Sequence, residues 1–153
     1  MVKNPFVVRV YGIYIHPEHG ILVSDEYVFG RQVTKFPGGG LEFGEGTVDC
    51  IVREMKEETG FSFRVLSHFY TTDFFVPSAF NSELQVISIY YRIEPEGPFK
   101  LPTNNNPFDF PEQKEGAQAF RFISLERINQ QDFTLVIDQR VGELLRKSAG
   151  PAP

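Results

Sequence analysis

The sequence predicts one α/β domain of the α+β kind, and three observations carry that reading. Strand-like segments over Phe6–Ile15 and Ile21–Phe29 come before the first helical stretch, which centres on Arg53–Glu58. Segments rich in β-branched and aromatic residues follow it over Phe63–Val76, Leu84–Ile93 and Ala117–Ile123. A final amphipathic helix over Thr134–Lys147 carries Leu135, Val136, Val141, Leu144 and Leu145. Strands and helices do not alternate, which disfavours a parallel doubly wound sheet. The chain has 153 residues, 41% of them hydrophobic, enough for one substantial core. Residues 1–148 are expected to form the single domain and 149–153 a flexible tail.

Taken in order, Val8, Val10, Gly12 and Tyr14 alternate along the first strand. His16-Pro17-Glu18-His19-Gly20 is a turn, so its two histidines read as exposed turn residues ahead of a metal pair. Gly30–Phe36 brings Arg31 and Lys35 just upstream of a glycine loop, where they would meet substrate phosphates or simply lie on the surface. Pro37-Gly38-Gly39-Gly40 starts rigidly and continues with three residues lacking Cβ, so the backbone can turn sharply and approach a ligand. Gly44-Glu45-Gly46 repeats the device before Thr47, a predicted N-cap.

On the helix that follows, Val48, Ile51, Val52, Met55 and Thr59 share a core-facing stripe. Glu54 and Glu58 lie about 40° apart around the axis, with Glu57 about 60° from Glu54 on its other side. Three acids on one side repel each other and call for a cause. A hard cation is one, since Mg²⁺ takes carboxylate oxygens and leaves sites for water and phosphate. A solvated acidic face is the other, partly neutralised by Arg53 with Glu57 and by Asp49 with Arg53 at i, i+4. The glycine loop and the helix N-terminus just upstream favour a metal-assisted phosphate site.

Gly60 stops the helix. Pro77–Ser82 separates two strands that should pair, and Phe74, Phe75 and Phe80 near that turn either pack in the core or stack on a base. Glu94–Gly116 holds five prolines and Asn104-Asn105-Asn106, and its length without periodicity suggests a mobile lid. Ser124–Ile128 reads as a short helix with Ser124 as N-cap.

The net charge of −5 and pI near 5.2 argue against long polynucleotides, which call for basic surfaces. A small anionic substrate stays open, because bound cations invert the local field. No stretch approaches the ~18 apolar residues of a membrane span, and the N-terminus lacks a secretory signal. One cysteine forms no internal disulfide and fits a reducing cytosol, so a cytoplasmic location is expected. Cys50 lies among acids and reads as packing, not as a nucleophile.

Gly39, Glu45, Arg53, Glu54, Met55, Glu57, Glu58, Gly60 and Phe61 reproduce the Nudix signature without departure, and the chain resembles the Nudix hydrolases. At roughly 7% usage each, seven fixed identities coincide by chance on the order of once in 10⁸ starting positions. The resemblance implies an α/β/α sandwich with a mixed sheet between helices, and Mg²⁺- or Mn²⁺-dependent cleavage of a phosphoanhydride in a nucleoside triphosphate or nucleotide sugar. It implies Glu57 and Glu58 as metal ligands, Glu54 as ligand, base or both, and Arg53 as the residue orienting Glu57. It also implies Gly39 or Gly40 as a carbonyl ligand, and Glu45 fixing the loop or reaching metal through water. Relatives often place a further Glu before the last strand, which would be Glu112 or Glu115. Pro77, sixteen residues after Phe61, lies about where some ADP-ribose-hydrolysing relatives carry a proline. An ADP-ribose or ADP-sugar pyrophosphatase is therefore one alternative, and a non-catalytic nucleotide-binding regulator another, although the latter predicts an eroded signature. The expected partner is a small nucleotide, without long nucleic acid or membrane, and the chain is expected to be a monomer or homodimer.

Overall fold

Punctuation by glycine and runs of β-branched residues set most element boundaries. In chain order the elements are β1 (Phe6–Ile13), β2 (Ile15–His16), β3 (Gly20–Val28), β4 (Arg31–Lys35), β5 (Gly38–Gly40), α1 (Thr47–Thr59), β6 (Phe63–Thr71), β7 (Gln85–Pro95), β8 (Gln118–Ile123) and α2 (Val136–Ser148). The structure, a computed structural model, describes residues 5–149. The expected tail beyond Ala149 lies outside the described residues. Contacts gather the chain into two compact units, the first ending at Ile13 and resuming over Pro37–Phe99, the second made of Tyr14–Phe36 and the chain from Lys100 onward.

The first unit holds a mixed four-stranded sheet in the order β5-β1-β7-β6. β1 runs antiparallel to β5 and parallel to β7, and β7 pairs antiparallel with β6 as expected. The register puts Arg9 opposite Gly40, Val10 opposite Gly39 and Tyr11 opposite Gly38. β6 is an edge strand and carries two register shifts, at Val65/Ser67 and at His68/Tyr70. It ends at Thr71, short of the expected Val76, and the chain beyond makes only an isolated bridge from Pro77 to Gln85.

Helix α1 packs on this sheet through Ile51 and Met55, both fully buried. Each such apolar side chain contributes about 1.5–3 kcal/mol relative to exposure. Gly12 permits the close approach, because a Cβ there would stand 2.4 Å from Cδ1 of Ile93 and 3.3 Å from Cδ1 of Ile51. The buried stripe is rotated from the expected one. Cys50 is fully buried with its Sγ on the Gly40 carbonyl at 3.6 Å, while Val48 is 45% exposed. The cap also differs. Gly46 is the N-cap, its N–H donating to Asp49 Oδ2 at 3.3 Å, and Thr47 instead shares a hydroxyl hydrogen bond of 2.6 Å with Tyr91. Gly60 ends the helix as expected, left-handed at φ 80°, with its N–H on the carbonyl of Lys56.

In the second unit β3 pairs antiparallel with β2, β4 and β8. The first strand expected from the sequence is thus split, with β1 ending at Ile13 and β2 pairing in the second unit. Asp25 of β3 is 1% exposed and fully engaged: Arg121 donates to it at 2.7 and 3.2 Å, Thr34 Oγ1 at 2.6 Å and the Phe108 N–H at 3.2 Å. Such a buried carboxylate is stable only when paired and hydrogen-bonded. Beyond the end of β7 at Pro95, the proline-rich stretch expected to be a lid has no regular structure; the Phe108 N–H donates to Asp25 and the Asn104 N–H to the Phe120 carbonyl at 2.8 Å.

Residues 124–128 form no helix. The Ser124 carbonyl accepts the N–H groups of Arg127 and Ile128 in a turn, and a short 3₁₀ segment follows at Gln130–Asp132, capped by Asn129. Helix α2 starts two residues later than expected, and buries Ile137, Val141 and Leu145 while Val136 is 56% exposed.

Candidate active site

Arg53, on the second turn of α1, is the hub of the signature residues. Its Nη2 and Nε donate to the two oxygens of Glu45 at 2.7 and 3.0 Å. Its Nη1 donates to Glu54 at 3.0 Å and to Glu57 at 3.2 Å, and Nη2 also reaches the Gly40 carbonyl at 3.2 Å. Helical spacing supplies the contact with Glu57. Glu45 is brought back by the turn between Gly44 and Gly46, where it also accepts the Glu42 N–H at 2.9 Å. The guanidinium and that N–H hold the Glu45 carboxyl down at about 2, and Glu45 and Glu54 together push the Arg53 guanidinium further up. Cys50 lies below, its Sγ donating to the Gly40 carbonyl at 3.6 Å, and burial beside Glu45 pushes its thiol up to about 12. That excludes a thiolate nucleophile at neutral pH.

The three acids are engaged separately. Glu54 lies on Arg53 and against the glycine strand, where a Cβ on Gly39 would stand 2.4 Å from its Oε1. Glu58 accepts the Gly38 N–H at 3.1 Å. Glu57 is outermost, its side chain 59% exposed. Among the described residues no three His, Cys, Asp or Glu side chains are gathered as a metal site. The donor set still fits a hard divalent cation, being all oxygen, anionic and carried on one helix. The missing Cβ of Gly39 leaves the space that the Glu54 carboxylate fills.

A family model described as the NUDIX domain matches residues 6–141. The chain belongs to the NUDIX family. Its fold is like that of Nudix structures. The MutT protein from Methanosarcina mazei Go1 superposes with a TM-score of 0.68 at 17% identity, over 99% of this chain and 100% of that one. The E. coli ORF135 protein gives 0.66 at 18% identity, over 97% and 95%. An ADP-ribose pyrophosphatase from Streptococcus suis gives 0.57 at 18% identity, over 98% and 96%. At these identities the likeness carries the fold, which is the expected Nudix-type α+β architecture with its mixed sheet. None of the curated proteins matches the chain. With the complete signature, the chain is a Nudix pyrophosphohydrolase.

The other expected site residues of this Nudix chain are spread over both units. Phe74 and Phe80 lie in the β6–β7 connection, 39% and 42% exposed, with Phe75 at 72%, so core packing does not explain them. Arg31 is exposed at the start of β4. Lys35, at the end of β4, is 6% exposed and paired with Glu26 at 3.1 Å. Glu115 holds the β3–β4 turn, accepting N–H bonds from Phe29 at 2.6 Å and Gly30 at 3.3 Å, while exposed Glu112 sits 3.7 Å from Lys114.

A cavity of about 340 Å³ in the second unit is lined by His16, Glu18, His19 and Glu126 among others, and by none of the signature residues. His16 Nδ1 accepts the N–H groups of Glu18 and His19, so the neutral ring keeps its proton on Nε2, the wrong arrangement for a metal ligand. Sequence reasoning missed two neighbours of the Nudix helix. Glu42 brings a fourth carboxylate within 3.7 Å of Arg53 Nη1. Arg9 places Nη1 3.8 Å from where a Cβ of Gly40 would stand. Its signal was a lone cation in the apolar run Phe6–Ile13.

No helix among the described residues is long and apolar enough to cross a membrane.

Proposed function

We propose that this protein hydrolyses a phosphoanhydride bond in a nucleoside diphosphate-linked small molecule, a nucleoside triphosphate or a nucleotide sugar. The carrying observation is the cradle in which the Glu54 carboxylate fills the space that Gly39 leaves beside the helix bearing Glu57 and Glu58. Glu54, Glu57 and Glu58 would hold Mg²⁺ or Mn²⁺, with a glycine carbonyl of the β5 strand as a further oxygen donor. The bound ion supplies charge neutralisation on the diphosphate and a more acidic water. Arg53 keeps Glu45, Glu54 and Glu57 at fixed positions around the glycine strand. Such outer partners commonly matter by 10- to 100-fold in affinity or activity.

Glu54 is the proposed base or ligand; Glu115 is already committed to a turn, and Glu112 is the remaining late-loop candidate. Phe74 and Phe80 offer exposed rings for stacking on a base, and Arg31 an exposed cation. The related fold of an ADP-ribose pyrophosphatase and the position of Pro77 support an ADP-sugar as the second substrate reading. The intact signature weighs against a non-catalytic regulator. The negative net charge supports a small nucleotide over long nucleic acid and fits a cytoplasmic protein, monomeric or dimeric.

The test is a panel of nucleoside triphosphates, nucleotide sugars and dinucleotides with Mg²⁺, followed by hydrolysis in ¹⁸O-labelled water. Label in a phosphate product is expected. Label only on a sugar hydroxyl would refute attack at phosphorus, and binding without turnover of any nucleotide would favour the regulator.

A further inference from the structure

We infer that Tyr91 is a positioning residue for the cation site, fixing from β7 how the acid-bearing helix lies against the glycine strand. Helix α1 has no side-chain cap, because Gly46 at its N-cap has no side chain to offer. Thr47, its first residue, shares a hydroxyl hydrogen bond of 2.6 Å with Tyr91 on β7. The start of the helix is therefore tied sideways to the sheet. Three contacts then place α1 over three neighbouring strands, in the order β7, β1, β5. Thr47 is bonded to β7, and a Cβ on Gly12 of β1 would stand 3.3 Å from Ile51 Cδ1. Glu54 lies against Gly39 and Glu58 accepts the Gly38 N–H, both on β5. The rise from Thr47 to Glu54 is about 10 Å, and β7 lies about 10 Å from β5, two strand spacings away. The helix thus crosses the strands with its buried middle over β1, a hydroxyl tether at one end and carboxylates toward the other.

A rod held at its middle turns as a lever. Movement of the Thr47 end along β7 carries Glu54 and Glu58 the opposite way along β5, past Gly38 and Gly39. A hard cation registers such a slide, since Mg²⁺ demands near-octahedral oxygen geometry at about 2.1 Å. Arg53 does not supply this reference. Glu45, Glu54, Glu57 and the Gly40 carbonyl, which it bonds, lie on the helix, in the adjoining turn or on β5. Tyr91 refers the helix to β7 instead. Its ring is braced by His68, its cross-strand partner on β6, edge-on at 5.9 Å and 81°.

The inference rests on the hydrolase reading for its cation, and its test reads the metal without turnover. Mn²⁺ affinity of the nucleotide-free protein is measured by electron paramagnetic resonance of the free ion. The proteins compared are the wild type, Tyr91→Phe, Thr47→Val, Thr47→Ser and the double variant Tyr91→Phe with Thr47→Val. Tyr91→Phe and Thr47→Val should each weaken Mn²⁺ binding about 3- to 10-fold, the scale of one hydrogen bond. Thr47→Ser keeps the hydroxyl and should bind as the wild type does. The double variant should lose no more than either single one, because both remove the same bond. Tyr70→Phe is the control: its hydroxyl bonds Asp73 at 2.5 Å and does not involve α1, so stability should fall while Mn²⁺ affinity holds. Thermal unfolding checks that each variant is folded, and the Thr47 pair carries the test should Tyr91→Phe fail to fold. Wild-type affinity in a folded Tyr91→Phe or Thr47→Val, additive losses in the double variant, an equal loss in Tyr70→Phe, or no Mn²⁺ binding to the wild type would each overturn the inference. A protein that binds Mn²⁺ through this tether yet cleaves nothing would sink the hydrolase reading alone; one that cleaves nucleotides with Mn²⁺ affinity unchanged in Tyr91→Phe would sink only the inference.

Discussion

Arg53 and Glu45 are joined by two parallel hydrogen bonds, Nη2 to Oε1 at 2.7 Å and Nε to Oε2 at 3.0 Å. The pair ties the glycine-flanked turn to the helix that carries the acids. With its carboxyl held at about 2 in place of the usual 4.5, Glu45 binds fewer protons in the folded chain than in the unfolded one between those values. Its contribution is therefore complete above pH 4.5 and lost as the pH falls toward 2. The gap in melting temperature between the wild type and Glu45→Gln should close over that window. A gap that persists at pH 2 would remove the ion pair as its cause.

Glu57→Gln should lower kcat by about 100-fold or more at saturating Mg²⁺, since metal-borne charge stabilisation amounts to several kcal/mol. Because the side chain is 59% exposed, the melting temperature of the metal-free protein should scarcely move. Glu58→Gln should show a similar loss of turnover with some loss of stability, as its carboxylate also accepts the Gly38 N–H. Near wild-type kcat in either variant would restore the reading of a merely solvated acidic face.

Two adjacent glycines should behave differently. At Gly39 an added Cβ collides with the end of a flexible side chain, so Gly39→Ala should displace Glu54 and depress kcat while the protein still folds. At Gly38, with φ at 146°, the Cβ would fall 2.1 Å from the Val10 carbonyl oxygen, which cannot yield without moving β1. Gly38→Ala should therefore appear as lost soluble protein or a large fall in melting temperature. Equal stability of the two variants would contradict this account.

Glu115→Gln separates support from catalysis. Loss of its two backbone N–H contacts should lower the melting temperature and leave the acidic limb of the pH–rate profile in place. If that limb disappears with Glu115→Gln and survives in Glu112→Gln, the general base is Glu115.

Legibility in the sequence followed the range of the interaction. Helix α1 was readable because its limits are local: Gly46 and Gly60 punctuate it, and its acids keep helical spacing. The chief partner of Arg53 was not. The i, i+4 rule points to Glu57, whereas Glu45 returns through a loop whose path depends on two glycines and on the Glu42 N–H. The partner of Lys35 was hidden for a related reason: its diagonal contact with Glu26 exists only once β3 and β4 are paired, with Ser24 opposite Lys35. Cys50 was read as packing and is buried, but its contact with the Gly40 carbonyl, made across the chain and not along the helix, was not legible in helical spacing.

The interleaving of the two units in the sequence bears on how the chain is made. During synthesis from the N-terminus, the first unit is fully present once Phe99 has left the ribosome, although it must close a loop across Tyr14–Phe36. The second cannot assemble then. β3 emerges early, but β8, which pairs with it from Ile21 to Glu26, is made only after the whole first unit. For that interval Ile21, Leu22 and Val23, all buried in the folded protein, lack their β8 partner in a growing chain. Slow codons between Phe99 and Gln118 would lengthen that interval, and a messenger that hurries through this stretch should raise the soluble yield.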